Sequence, residues 1–318
     1  MKEDHEIDRL FDPAFNDKDL IKSAKRKSYF RITGVSLLVS ICVLALLILL
    51  KIQVTPYLMD QKMTAKELYY EVFGANSYTG VWTERHKLVG SSATAPKYKL
   101  LNGKPFYLGE VSLDTPNIEV TVGNSELAQF SYSGNRVMNF FHPSIQYQTY
   151  ANDLQELNKV NDGKLIEMAL SFDQAYTYAE VVSMLPNDVT LQWNWVNAYS
   201  EEELEGLKET FNGHSENPAV LKEQEVAGFP SILKSGETNQ NPVNTFIETL
   251  DIALSKGGSY KEDFEHVYNS LKKGHSKLTN ENIEIIGVVV AGDKQQLQSL
   301  TGKNYIKASS FGAIIDEY

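Results

Sequence analysis

Between Arg31 and Lys51 the chain carries no charged residue, and the 19 positions from Ile32 to Leu50 are almost all apolar. As a helix rising about 1.5 Å per residue, that run spans roughly 28 Å, the hydrocarbon thickness of a bilayer. Its thirteen Leu, Ile and Val residues favour membrane insertion by an upper bound of roughly 4–8 kcal/mol. A cleavable signal fits poorly, because a long segment precedes the run and no small-x-small site follows it. The pattern predicts a single-span anchor dividing the chain into an arm (1–31), a transmembrane helix (32–50), a β-rich part (51–155) and an α+β part (156–318).

Beyond the span, periodicity changes twice. Thr64-x-x-Glu67 is a capping box followed by Leu68 and Val72, and predicts a short helix ending near Gly74. From Gly80 to Tyr150, runs at Val81–Leu88, Phe106–Leu113, Ile118–Val122, Ala128–Tyr132 and Arg136–Phe141 read as strands. Gly90-Ser91-Ser92, Asn102-Gly103, Gly123-Asn124-Ser125 and Ser133-Gly134-Asn135 read as turns between them. The many aromatic residues here are expected in a core more than in a groove.

In Leu165–Phe172, apolar Ile166, Met168, Leu170 and Phe172 alternate with Glu167, Ala169 and Ser171. Thr177-x-x-Glu180 caps a helix stopped by Pro186. Val189, Leu191, Trp193 and Trp195 then mark a second strand. Helices are predicted after Ser200-x-x-Glu203, after Asn241-Pro242 and after Ser259-x-x-Glu262, with a polar loop over Asn212–Asn241. Ile283–Ala291 reads as a strand buried on both faces. A helix opened by Asp293-x-x-Gln296 and a last strand, Tyr305–Ile315, complete the order. The expected fold class is α+β: a membrane anchor, a β-hairpin-rich part, and a ferredoxin-like split βαβ part with a helical insertion.

Charge orients the anchor. Lys22, Lys25, Arg26, Lys27 and Arg31 precede the span, whereas Lys51 is the only basic residue after it until Lys62. Positive charge stays cytoplasmic, so the arm is expected inside the plasma membrane and the C-terminal part outside. These five residues are the expected membrane-flanking set, in contact with anionic headgroups. The net charge of −11 argues against a direct nucleic-acid ligand. The single cysteine, Cys42, lies in the span, so the C-terminal part has no disulfide, which agrees with a bacterial and especially a Gram-positive envelope.

Asp17 or Asp19 is a candidate cap for a helix running into the span. The arm is too short for a core of its own, yet it carries Leu10, Phe11, Phe15, Leu20 and Ile21. Buried on a partner, each large apolar side chain contributes roughly 1.5–3 kcal/mol before ordering costs. These five are the candidate partner-binding residues; the competing use for such residues is the bilayer surface. With one histidine, His5, and no cysteine, the arm is no zinc module.

Candidate catalytic chemistry is sparse. His86, His142, His214, His266 and His275 show no metal-ligand spacing, and no hydrolase elbow or phosphate loop occurs. Ser231-x-x-Lys234 and Lys234-Ser235-Gly236 share their lysine, so they cannot form the site of penicillin-recognising enzymes. No catalytic residue, metal or cofactor is expected.

Several segments resemble the sigma factor regulator family, membrane-anchored anti-sigma factors of low-GC Gram-positive bacteria. Leu20–Ser28, running into the span, is similar to the start of that family's N-terminal module. Glu167–Thr177, Gly287–Gly292 and Ile306–Gly312 are similar to its C-terminal module. The similarity extends over roughly residues 18–95 and 155–315. The resemblance implies signal transduction: the arm holds an extracytoplasmic-function sigma factor inactive, and the outer part responds to cell-envelope stress. A second small membrane protein is a further candidate partner. The alternatives are an anchored envelope module with no transcriptional role, or an anchored surface hydrolase.

Overall fold

A computed structural model describes residues 17–88, 90–115, 136–208 and 219–317. The expected strands Ile118–Val122 and Ala128–Tyr132, with the turns beside them, lie outside the described residues. Residues 1–56 and 57–318 form two compact units.

The first unit contains one described element, the N-terminal part of helix α1 (Asp17–Phe73). Asp19 lies inside α1 and is not its cap. Every residue from 18 to 50 is exposed, including Leu37, Leu44 and Leu47 at 57–62%. A run so apolar with no protein packed on it is long enough to cross a membrane.

The second unit begins with the rest of α1. Thr64 is not a helix start, because α1 passes through it without a break. The predicted inward face is correct: Leu68 and Val72 are buried, together with Met59 and Ala65. After α1 come β1 (Ser77–Thr79), β2 (Thr83–His86), β3 (Ser91–Leu101) and β4 (Lys104–Thr115). β3 is the centre of this antiparallel sheet, with β1 and β2 along one edge and β4 along the other. Asn102 and Gly103 both have positive φ, the geometry of a two-residue hairpin turn, as their sequence predicts.

β3 is not among the expected strands; it begins at Ser91-Ser92, where a turn is expected, and contains Pro96. Pro96 is tolerated at a gap in the ladder. β2 pairs with residues 91–94 and β1 with 97–99, and the Pro96 carbonyl accepts from Gly80 N–H between them.

The larger sheet is built from β6 (Lys164–Tyr176), β7 (Thr190–Val196), β9 (Gly228–Pro230), β10 (Ile285–Gly292) and β11 (Ile306–Asp316). Its order is β11-β6-β10-β7-β9, with every neighbour antiparallel. β5 (Asn139–Phe140) and β8 (Leu221–Lys222) pair separately. β8 and β9 lie where a polar loop is expected. Val226, Phe229 and Ile232 are buried there, so their apolar side chains override the polar composition.

Helix α2 (Tyr178–Met184) has the predicted Thr177–Glu180 capping box, and α6 (Lys294–Gln298) has the predicted Asp293–Gln296 box. α3 (Glu201–Lys208) follows the Ser200–Glu203 pairing, and α4 (Pro242–Lys256) opens on the predicted proline. α5 (Lys261–Lys272) starts after Tyr260 with no side-chain cap, because residues 258–260 form a 3₁₀ turn; Ser259 is therefore not a cap.

Both faces of the larger sheet are covered. Ile166, Met168, Leu170 and Phe172 pack with Phe246, Phe264 and Leu271 of α4 and α5, and with Leu68 and Val72 of α1. On the opposite face, Ala169, Trp193, Trp195 and Val289 pack with Met138, Phe140 and Leu221. A register shift between Val289 and Val290 puts a bulge in β7 at Gln192. It splits the expected single face: Val189 and Leu191 join the helical side, whereas Trp193 and Trp195 join the other.

At the edge, Gly228 lies against Asn194 and the Trp193 ring, and an added Cβ would overlap the Asn194 carbonyl oxygen. Gly228→Ala is expected to destabilise the fold by about 1–3 kcal/mol, measured by denaturant titration of tryptophan fluorescence in detergent.

Candidate functional site

The sequence-predicted contact residues fall into two groups. Leu10, Phe11 and Phe15 lie outside the described residues. Leu20 and Ile21 are on α1 at 51% and 54% exposure, open to a partner. Lys22, Lys25, Arg26, Lys27 and Arg31 are also exposed on α1, and the Arg26 guanidinium lies 5.8 Å from the Phe30 ring centre. The helix thus carries apolar side chains at 20–21 and a basic segment directly before its uncharged run.

In the second unit the most charged interior point is a cluster the sequence reading missed. Lys99 of β3 donates to Glu167 Oε2 at 2.8 Å and to Glu223 Oε2 at 2.9 Å. The side chains of Lys99 and Glu167 are 2% and 0% exposed, and that of Glu223 17%. Glu167 also accepts from Asn76 Nδ2 at 2.8 Å and from Ala313 N–H at 3.0 Å. Met138 N–H donates to Glu223 at 3.3 Å. The cluster joins the turn after α1, β3, β6, the turn after β8 and β11.

Each member is placed by its backbone. Glu167 is on the face of β6 opposite Ile166, Met168 and Leu170, and that face is covered as well. Gly312 makes room for it, since a Cβ at 312 would overlap the carboxylate. Burial pulls the Lys99 pKa down, yet Glu167 and Glu223 outweigh that pull and hold the ammonium above the ordinary lysine range. One signal was available in the sequence. β10 reads as buried on both faces, so a glutamate on a neighbouring strand needs a buried cation.

A cleft of about 100 Å³ lies beside β9 and α4, floored by Phe229, Phe246 and Tyr78 and rimmed by Glu71 and Lys234. Lys234 Nζ is 3.4 Å from Glu71, and the Ser231 hydroxyl accepts from Asn194 Nδ2 at 2.8 Å. The Ser231 and Lys234 of the penicillin-like match therefore point to different partners. Among the described residues no group of three or more His, Cys, Asp and Glu side chains is arranged to hold a metal.

A second buried titratable group is His142. Ser144 N–H donates to its Nδ1 at 3.2 Å, and Nε2 faces Asn197 Oδ1 at 3.2 Å. The Asn197 amide in turn donates to Glu284, which also pairs with Lys273.

The family model for the C-terminal region of sigma factor regulators matches residues 157–313. The match runs from the 3₁₀ turn at Asp153–Lys159 into β11, and takes in four strands of the larger sheet whole and β11 as far as residue 313. The chain belongs to the sigma factor regulator family. It is a regulator of the anti-sigma-factor type, and family membership implies interaction with a sigma factor. No curated protein and no solved structure matches the chain. Within this regulator, Glu167 and Glu223 belong to the matched region, whereas Asn76 and Lys99 precede it.

Two expectations follow. Glu167→Ala leaves Lys99, Asn76 and Ala313 short of an acceptor and should cost about 3–5 kcal/mol. Lys261→Ala, which removes an exposed pair with Glu265, should cost less than about 0.5 kcal/mol in the same denaturant titration.

A further expectation concerns His142. Burial, with Lys307 and Lys208 in the same direction, lowers its pKa, and the Asn197 hydrogen bond only partly opposes this. The folded state therefore resists protonation more than the unfolded chain. Its contribution is complete above the ordinary 6.5 and is lost as pH falls from there through the depressed value. Stability measured across that window should fall less steeply in His142→Gln than in the natural protein.

Proposed function

We propose that this chain is a single-pass anti-sigma factor of the plasma membrane. Its arm faces the cytoplasm and sequesters an extracytoplasmic-function sigma factor, and residues 57–318 face outward and respond to envelope state. One juxtaposition carries the reading: the regulator match at 157–313 shares a chain with an exposed, uncharged helical run at 32–50 whose basic residues cluster on one side. The basic cluster supports the inward arm by the positive-inside rule. A sigma factor held at the membrane is kept from its promoters, and a coupling of about 1–3 kcal/mol between the outer part and the arm suffices to release it.

The protein acts by binding in this reading, not by catalysis. The engagement of Ser231 with Asn194 and of Lys234 with Glu71 supports that view. A second small membrane protein is a further candidate partner in this reading. The absence of any cysteine beyond Cys42 supports a Gram-positive envelope. The C-terminal part is read as a ferredoxin-like split βαβ fold. The strand order β11-β6-β10-β7, with α2 between β6 and β7 and α6 between β10 and β11, supports it, and β9 is an added edge strand.

Deleting residues 2–19 should raise transcription from the sigma-dependent promoter. Changing Leu10, Phe11 and Phe15 together to alanine should weaken sigma capture about 100-fold, at roughly 1 kcal/mol per anchor. Unchanged transcription in the deletion would favour the envelope-module reading instead.

A further inference from the structure

α1 ends at Phe73, and the chain enters β1 through Gly74, Ala75 and Asn76. Gly74 has no room for a side chain, because a Cβ there would overlap the Tyr70 carbonyl oxygen. Ala75 and Asn76 follow with φ of 42° and 70°. Two consecutive non-glycine residues in the left-handed region are strained, and persist only where the surroundings over-determine them.

The surroundings here are specific. Ala75 is fully buried with Met138, Trp193 and Trp195. Asn76 is 1% exposed, and its amide donates to the Leu100 carbonyl and to Glu167. Its Oδ1 is buried without a hydrogen-bond partner among the described residues. The strained turn is thus fastened by one side chain to a carboxylate in the matched sheet. That carboxylate is shared with Lys99, and Lys99 with Glu223, the member of the cluster that reaches solvent.

We propose that Gly74–Asn76 is a strained joint latched by Asn76 on Glu167, and that its release couples the matched sheet to the end of α1. This rests on the regulatory reading above. In the latched state Glu167 accepts from Asn76, Lys99 and Ala313, and the turn is held at positive φ. When the Asn76 bond is lost, the turn relaxes to ordinary negative φ and the last turn of α1 loosens. Glu223 is where an event outside reaches the cluster, since drawing its carboxylate away shifts Lys99 and with it Glu167. The turn supplies the two discrete arrangements that coupling between sites requires.

The test is hydrogen exchange on the full chain in lipid nanodiscs, together with a sigma-dependent reporter in cells. Lys99→Met risks misfolding, so Asn76→Gly is the principal variant: glycine accepts the turn's backbone geometry and removes the side-chain bonds to Glu167 and to the Leu100 carbonyl. Asn76→Asp, which sets a second carboxylate against Glu167, is the stronger form. Both should speed exchange at amides 69–78 at least ten-fold, leave β6 and β10 amides protected, and raise reporter output several-fold. Leu300→Ala, which opens a cavity between α6 and β11, should not single out those amides. Unchanged exchange at 69–78 overturns the joint. So does faster exchange with an unmoved reporter, provided that deletion of residues 2–19 still moves it. If that deletion changes nothing, the regulatory reading has failed instead, and exchange alone decides whether the latch exists.

Discussion

A carboxylate with no solvent exposure, Glu167, sits on the central part of a sheet covered on both faces. An ionised group there is tolerable only if every lone pair in the interior is matched, because the penalty for removing it from water is several kcal/mol. The chain meets that demand from far apart in sequence: Asn76, Lys99 and the backbone at Ala313 all converge on it. The smaller sheet, the larger sheet and the exit from α1 must therefore be assembled together. A buried ion pair adds little net stability over an apolar replacement, but it penalises any arrangement that leaves one charge unpaired. Its effect here is on which arrangement is adopted more than on how stable that arrangement is.

The same constraint explains the neighbouring irregularities. Gly312 is required because the carboxylate occupies the space of a side chain, and Gly228 because β9 is drawn tightly against β7. The bulge at Gln192 redirects Trp193 and Trp195 to the face opposite the helices, where they pack with Phe140 and cover the sheet around the cluster. The aromatic residues of β7 and β5 thus close the side of the sheet that alternation alone assigns to solvent. Burying two tryptophans, each of about 150–250 Å², is an ample source of stability for that second layer.

For a membrane regulator this economy has a consequence. The region matched to the family, 157–313, does not complete its own charge balance; Lys99 and Asn76 come from the segment that follows α1. The family sheet and the chain leaving the helix share one set of hydrogen bonds. A change in either is felt by the other at the interior cluster, with no long path required.

The signals that were legible are local ones, although the boxes at Thr64 and Ser259 did not start helices. The uncharged run at 32–50, the Asn102-Gly103 turn, the capping boxes at Thr177 and Asp293 and the apolar β10 each depend on neighbours within a few residues. The arm's candidate anchors Leu10, Phe11 and Phe15 were legible as composition alone. The sequence by itself therefore determined the span-length apolar run, the family resemblance and the order of most elements. Tertiary structure decided that α1 runs through Thr64, that β3 forms around Pro96, that the β7 tryptophans leave the face of Leu191, and that Glu167 is interior. For the last three the deciding term is a contact between residues distant along the chain: the ladder of β3 with β1, β2 and β4, the second layer over β6, and the ammonium of Lys99. Periodicity records which side chains share a face, but only the partner sheet determines whether that face meets water.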